Sequence, residues 1–129
     1  MNIIKPSTPM KLKPNDKAPL ETECLFGEKL EIIKENVEWV FGKLLTDNYQ
    51  GWVKKKDLGF LDFPTHQIMS IRSGLYSRKN IKSHFIHYLP FGSKLNVTSI
   101  DKDWAEINLS QKHFYKVGFV LSKDIIQKN

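Results

Sequence analysis

The side chains best suited to chemistry in this chain are basic and aromatic residues that share one stretch of sequence. From Phe63 to Ile100 there is no aspartate or glutamate. The residues of interest in this stretch are Arg72, Tyr76, Arg78, Lys79, Lys82 and Tyr88. An arginine guanidinium can form two parallel hydrogen bonds with a carboxylate or a phosphate, and an aromatic face beside it can hold a sugar ring or a peptide. We therefore predict a ligand-binding loop here; a solvated basic loop is the alternative.

Two tryptophans add to this candidate site. Trp39 and Trp104 occupy equivalent places in a sequence repeat described below, which favours a structural role for each. Either could also be partly exposed in a ligand groove, so both are included as candidate ligand-binding residues. The combination of basic and aromatic side chains would equally suit nucleic acid, because lysine and arginine neutralise phosphates while aromatic rings stack on bases.

Nucleophilic catalysis is not expected. Cys24 is the sole cysteine, so an internal disulfide is excluded and a reducing compartment is favoured. A reactive thiolate needs a helix N-terminus or a cationic neighbour, whereas Cys24 follows Glu23 and has Glu21 and Glu28 nearby. Those carboxylates would raise the pKa of the thiol. We therefore predict a structural cysteine and no catalytic residue, although the four histidines are candidate bases.

A metal site is not expected either. His84 and His87 have a spacing that could bind a metal on a helix, but the stretch is predicted to be a loop or a strand. In a strand, residues three apart point to opposite faces. No second cysteine or nearby carboxylate completes a set of four ligands. We predict no metal and no cofactor.

The elements that must position these residues are arranged as a repeat. Phe26–Leu30 (FGEKL) recurs as Phe91–Leu95 (FGSKL), and Trp39 recurs as Trp104, both at an offset of 65. Two further pairs follow in the same order at an offset of 67, namely Gly51–Val53 with Gly118–Val120 and Lys56–Leu58 with Lys123–Ile125. Four markers in one order indicate two copies of a module of about 55 to 60 residues. Units of that size have marginal cores.

Each copy is predicted to be a small β-barrel. Neither copy has an apolar stripe of helical period, and each contains five short strand patterns with a long early loop and a closing turn. This pattern is typical of SH3-like barrels, so the fold class is all-β with two tandem SH3-like barrels. We predict a loose tail over residues 1–8, a first barrel over 9–59, a linker over 60–65 and a second barrel over 66–127. Trp52 is expected in the first core.

The residues also resemble a known family. TECLFGEKLEI, the following tryptophan, YQGWV and KKKDL resemble a bacterial SH3 domain of cell-wall peptidases. PTHQIMSIRSGLYSRKNIKSHFIHYLPFGSKL resembles the linker and second barrel of the tandem SH3 region of NlpC-type cysteine peptidases, which include dipeptidyl-peptidases. The resemblance extends from about Pro9 to Ile125. It implies two barrels of the kind that precede a papain-like domain, which hydrolyses γ-D-glutamyl bonds to diamino acids in peptidoglycan stem peptides.

The sequence differs from that family in one respect. The Asp-Cys-Ser-Gly-like run that holds the catalytic cysteine in the resembled enzymes does not occur. We therefore expect a non-catalytic member, a split-gene partner or a truncated remnant, and not an enzyme.

The function expected from sequence is a non-catalytic tandem bacterial SH3 module. It would bind peptidoglycan stem peptides, or dock and assist an NlpC-type peptidase. The alternative is a basic nucleic-acid-binding barrel, because residues 65–129 carry the whole net charge of +6. The start, Met-Asn-Ile-Ile-Lys-Pro, lacks the apolar region of a signal peptide, and no run approaches the roughly 20 apolar residues of a membrane span. We expect a cytoplasmic protein with no membrane partner; association with the cell envelope is left open.

Overall fold

The computed structural model describes residues 1–128, which form two compact units. The first unit runs from Met1 to Phe60, and the second begins at Leu61. All regular elements of the described residues are β-strands or short 3-10 turns. The predicted all-β class is therefore confirmed. The described chain has no helix that is long and apolar enough to cross a membrane.

The first unit contains seven strands. Their bounds are Asn2–Ile3 (β1), Ser7–Lys11 (β2), Leu20–Leu25 (β3), Leu30–Glu35 (β4), Trp39–Leu44 (β5), Gln50–Lys54 (β6) and Leu58–Gly59 (β7). Five of them form one antiparallel sheet in the order β3-β2-β6-β5-β4. The remaining two, β1 and β7, pair as a small second sheet, and a 3-10 turn at Lys55–Asp57 leads from β6 into β7.

The second unit contains eight strands. Their bounds are His66–Ile68 (β8), Arg72–Tyr76 (β9), Phe85–Pro90 (β10), Lys94–Leu95 (β11), Val97–Ile100 (β12), Trp104–Asn108 (β13), Val117–Leu121 (β14) and Ile125–Gln127 (β15). The five-stranded sheet has the order β10-β9-β14-β13-β12, and β11-β8-β15 forms the small sheet. A 3-10 turn at Ser122–Asp124 precedes β15. The sheet order therefore repeats that of the first unit.

The Phe-Gly pair that marks the repeat is the same tight turn in both units. Gly27 and Gly92 have φ angles of 84° and 89°, a left-handed conformation that glycine adopts without steric cost. The Gly27 N–H donates to the Ile3 carbonyl at 2.8 Å, and the equivalent bond runs from Gly92 to Ile68 at 2.9 Å. Each turn thus joins the end of an edge strand to the small sheet.

The phenylalanines beside those glycines differ. Phe26 is 1% exposed, whereas Phe91 is 59% exposed. The two copies therefore share the backbone conformation of the turn, whereas the phenylalanine is buried in the first copy alone.

The prediction of a loose tail over residues 1–8 is wrong. Asn2–Ile3 pairs with Leu58–Gly59, and Ile3 is fully buried in the first core. Strand β2 already begins at Ser7. These few residues were too short to show a period, yet they close the small sheet and cover one end of the core.

The prediction that Trp52 lies in the core is also wrong. Val40 and Val53 are buried, while Phe41 and Trp52 project from the opposite face and are half-buried. Their ring centroids lie 5.4 Å apart. Neighbouring strand residues point to opposite faces, so the inward place of Val53 assigns Trp52 to the outer face.

The segment predicted as a linker, residues 60–65, has no regular structure. Most of it is bonded to the second unit: the Phe63 carbonyl accepts from Asn96 Nδ2 at 2.7 Å, and the Thr65 N–H donates to the Leu95 carbonyl at 2.8 Å. These bonds agree with a unit boundary between Phe60 and Leu61.

Candidate functional site

One face of the five-stranded sheet in the second unit carries a continuous row of aromatic rings that ends at an arginine. Trp104 and Tyr76 meet edge to face with centroids 5.8 Å apart, and Tyr76 meets Phe85 at 5.5 Å. Phe85 meets Tyr88 at 4.8 Å, and the Arg72 guanidinium carbon lies 4.1 Å from the centre of the Tyr88 ring. We call these five residues the aromatic strip.

Strand β9 places two members of the aromatic strip on one face. Ser73 and Leu75 point inward and are buried, so Arg72 and Tyr76 point outward by the alternation of a strand. Gly74 lies between them on the same face. A Cβ atom on Gly74 would come within 2.8 Å of the Tyr76 ring. The absence of a side chain at residue 74 therefore leaves the space in which the Tyr76 ring lies.

A bulge in β10 brings Phe85 and Tyr88 to the same face. The register of β10 against β9 shifts between Phe85 and His87. In a regular strand, residues three apart point to opposite faces, and one extra residue reverses this relation. Phe85 therefore stands opposite Tyr76 and Tyr88 opposite Gly74, with the Phe85 and Tyr88 rings in contact.

Arg72 keeps its hydrogen-bonding capacity for a ligand. Its guanidinium stacks on Tyr88, and among residues 1–128 no carboxylate lies within ion-pair distance of it. Arg72 is exposed. A stacked guanidinium still presents its N–H groups at the edge of the plane, so the strip offers a charged donor beside apolar ring surface.

The loop between β9 and β10 is anchored near Trp104. Lys79 Nζ donates to Asp101 Oδ2 at 2.8 Å, and the Trp104 N–H donates to Asp101 Oδ1 at 2.8 Å. The bond from Lys79, followed by the backbone N–H groups of Trp104 and Asp103, lowers the pKa of Asp101 to about 2. Lys79 is therefore committed to an internal ion pair.

The other two basic residues of that loop are differently placed. Arg78 and Lys82 are exposed. Ser83 and Asn80 hold the loop backbone: the Lys82 N–H donates to Asn80 Oδ1 at 2.8 Å, and Ser83 Oγ donates to the Asn80 carbonyl at 2.6 Å. Arg78 and Lys82 thus contribute charge at the loop surface and do not belong to the aromatic strip.

Trp39 lies in the first unit, in a separate groove of about 430 Å³. Lys54 Nζ lies 5.7 Å from the centre of the Trp39 ring and 2.6 Å from Asp16 Oδ1. The bond to Asp16 raises the pKa of Lys54. Because Trp39 is 7% exposed and the lysine above it is already paired, this groove offers less free surface than the aromatic strip.

Of the residues predicted from sequence, Arg72, Tyr76, Tyr88 and Trp104 are brought together. Phe85 is the member that sequence reasoning missed. Its position follows from the β10 bulge, and bulges have no reliable signal in a single sequence.

Cys24 has the properties of a structural residue. It is fully buried. Burial, with Glu28 and Glu23 as further causes, raises the pKa of the thiol to about 12. Within residues 1–128, no group of three or more histidine, cysteine, aspartate or glutamate residues could hold a metal ion.

Comparison with known proteins supports an SH3 relationship. Residues 13–58 match the family model of the bacterial dipeptidyl-peptidase SH3 domain. The crystal structure of an NlpC/P60 family protein from Bacillus cereus is similar to nearly the whole chain: the TM-score is 0.79 over 99% of this chain at 14% identity. The match covers 56% of the Bacillus cereus chain, so this chain spans little more than half of that protein. No curated protein sequence matches it.

These findings confirm the resemblance to the bacterial SH3 region of NlpC-type peptidases. The family match covers most of the first unit, and the structural similarity extends the SH3-like fold through the second. The aromatic strip lies in the second unit, outside the residues of the family match.

Proposed function

We propose that this chain, whose first unit carries a bacterial dipeptidyl-peptidase SH3 domain, is a cell-wall-associated binding module that takes peptidoglycan stem peptides on its aromatic strip. The single observation that carries the proposal is the row of rings from Trp104 to Tyr88 with the exposed guanidinium of Arg72 at its end. The relationship to NlpC-type peptidases supports the substrate class, and it also supports docking of such a peptidase as a second form of the function.

The chemistry of a γ-linked peptide suits this arrangement. A glutamate joined through its γ-carboxyl group retains a free α-carboxylate. The Arg72 guanidinium can donate two parallel hydrogen bonds to that carboxylate in a bidentate ion pair, because the spacing of its N–H groups matches the two carboxylate oxygens. The rings of Tyr88 and Phe85 would then pack against the aliphatic part of the diamino acid that follows.

The test is calorimetric titration of the chain with a γ-D-glutamyl-diamino acid peptide. Arg72→Ala should weaken binding by about 10-fold or more, since a hydrogen bond to a charged group is worth about 1.5–3 kcal/mol. Arg72→Lys should retain more affinity than Arg72→Ala but less than the unmodified chain. Lysine keeps the positive charge but cannot form the bidentate hydrogen bonds of a guanidinium. Amidation of the α-carboxylate of the peptide should weaken binding to the unmodified chain and have little effect on Arg72→Ala.

Arg78→Ala is the matched control. It removes the same charge from an exposed residue of the same unit that lies outside the aromatic strip. Equal effects of Arg72→Ala and Arg78→Ala would mean that net charge alone holds the peptide. Absence of any saturable heat with the unmodified chain would refute the proposal.

The alternative, nucleic-acid binding, draws on the exposed Arg78 and Lys82 together with the aromatic strip, since aromatic stacking and phosphate neutralisation are the two terms of single-strand binding. The ion pair of Lys79 with Asp101 disfavours this alternative, because it neutralises one of the basic side chains that would contact phosphate. Retention on heparin that disappears by about 0.2 M salt, with a shift of single-stranded RNA or DNA at low salt, would favour this alternative.

A further inference from the structure

A second surface of the same unit has the properties of a docking groove. It lies where the loop between β13 and β14 meets the start of β10, and it encloses about 280 Å³. The lining residues are His84, Ile86, Leu109, His113, Phe114 and Tyr115. We call this surface the loop groove; it shares no residue with the aromatic strip.

The loop groove has an ordered wall. Ser110 is buried, its Oγ accepts from the Lys112 N–H at 3.1 Å, and its N–H donates to His113 Nδ1 at 2.9 Å. The Leu109 N–H donates to the Lys116 carbonyl at 2.9 Å and closes the base of the loop. These bonds fix the loop before any partner arrives, which reduces the ordering cost of binding.

Phe114 is nonetheless left in water. It is 93% exposed, although its ring meets Tyr115 at 5.0 Å and Tyr115 in turn meets His84 at 5.8 Å. The first unit has no counterpart, because residues 45–49 make a shorter connection there than residues 109–116 make here. Phe114 is thus an apolar side chain on a preformed loop that its own unit does not cover.

The two chain segments that line the loop groove carry charges of one sign. The groove is built from segments 63–100 and 107–123, and neither contains an aspartate or a glutamate. Lys82, Lys112 and Lys116 on these segments are exposed. An apolar opening with a basic rim is complementary to an apolar side chain that has carboxylates on either side.

The size of the loop groove limits the occupant. Pockets that enclose drug-sized ligands measure roughly 300–1,000 Å³, and this groove is smaller. A groove of this size has room for one large side chain of a partner.

We propose that the loop groove docks an acidic segment of a partner protein through a single aliphatic or aromatic side chain, with Phe114 and Tyr115 as the apolar wall and the surrounding lysines as the rim. This site goes beyond the stem-peptide function, because it uses other residues and recognises a protein segment.

The probe is a fluorescently labelled synthetic peptide with one central leucine and glutamates on both sides, followed by anisotropy with the full chain. Two matched peptides carry alanine at the centre or glutamine on the flanks. Each should bind at least about fivefold more weakly than the parent peptide, since one removes the buried side chain and the other the charge complementarity.

The matched variants are Phe114→Ala and Phe63→Ala. Both residues are large, apolar and highly exposed in the second unit, at 93% and 85%, so neither change disturbs a core. Phe114→Ala should weaken the peptide at least about fivefold and Phe63→Ala should leave it unchanged. The γ-D-glutamyl peptide should respond to Arg72→Ala and not to Phe114→Ala, so the two proposals fail separately.

Three results would overturn the proposal. The first is no saturable binding of the leucine peptide. The second is equal binding of the alanine-centred peptide, which would show attraction by charge alone. The third is self-association in sedimentation that Phe114→Ala removes, which would make a second copy of this chain the occupant.

Discussion

Thr8 Oγ1 donates a hydrogen bond of 2.6 Å to Asp57 Oδ2, and both residues are buried. The bond joins β2 of the first unit to the 3-10 turn that leads into β7. The second unit repeats it: Ser73 Oγ donates to Asp124 Oδ2 at 2.7 Å, from the equivalent strand to the equivalent turn. In each unit, a hydrogen bond from a hydroxyl to a carboxylate therefore holds the closing turn against the sheet.

Thr8→Val should destabilise the first unit. Valine keeps the shape of threonine but removes the donor, which leaves the buried Asp57 carboxylate with one partner fewer. The expected loss is about 1–3 kcal/mol of unfolding free energy. Urea denaturation followed by backbone amide signals of each unit measures it. Thr8→Ser should retain most of the stability, since serine performs this role in the second unit; equal loss in both variants would show that packing of the methyl group dominates.

Gly118→Ala should lower the stability of the second unit, whereas Gly74→Ala should change the geometry of the aromatic strip and leave the stability nearly unchanged. A Cβ atom on Gly118 would come within 2.6 Å of the buried Leu75 Cδ1, so overpacking should cost about 1–3 kcal/mol. The three atoms nearest to a Cβ on Gly74 all belong to the Tyr76 ring, the far end of a side chain that can move. Gly74→Ala should keep the urea midpoint near that of the unmodified chain while shifting the ring signals of Tyr76 and Phe85. A large loss of stability in Gly74→Ala would contradict this.

The repeat in the sequence predicted the fold well because its markers are structural. The glycines of the Phe-Gly pairs are turn residues with positive φ, and Asp57 and Asp124 are the acceptors of the closing turns. The prediction failed over residues 1–8, where the sequences of the two copies are too dissimilar for the repeat to be recognised. Ile3 and Ile68 are both fully buried at the offset of 65, and Thr8 and Ser73 have the same role.

The candidate site was predicted in part for a different reason. Arg72, Tyr76 and Tyr88 were found because basic and aromatic residue types alternate through the stretch. Phe85 was missed because a bulge decides which face it occupies. Lys79 is among the predicted ligand-binding residues, but it forms an ion pair with Asp101 from a later turn. The composition of the loop does not reveal this pair. Residue types are visible in a sequence, whereas local register and long-range ion pairs are not.

Cys24 should be inert in the folded chain. Burial holds the thiol in its neutral form and raises its pKa to about 12 from an ordinary value of 9.0, and only the thiolate attacks disulfide reagents. The reaction with a disulfide reagent at pH 8 should therefore be slow until urea unfolds the first unit. The pKa of the thiol is higher in the folded chain than in the unfolded chain. Its contribution to the free energy of unfolding is therefore fully present up to about pH 9 and declines at higher pH. Rapid labelling of the folded chain would refute the assignment.

The ion pair of Lys79 with Asp101 should be lost only in strong acid. The pKa of Asp101 is lowered from an ordinary value of 3.8 to about 2, first by the hydrogen bond from Lys79 and then by the N–H groups of Trp104 and Asp103. Because the folded pKa is the lower one, the bond contributes fully above about pH 4 and is lost as the pH falls toward 2. Titration of the Asp101 carboxyl carbon signal by NMR measures this directly. Lys79→Ala should move the midpoint back toward the ordinary value, and Lys82→Ala, which removes a charge from the same loop without touching Asp101, should not. Since Asp101 also binds the Trp104 backbone, a midpoint near 4 in the unmodified chain would mean that the loop is not anchored beside the aromatic strip.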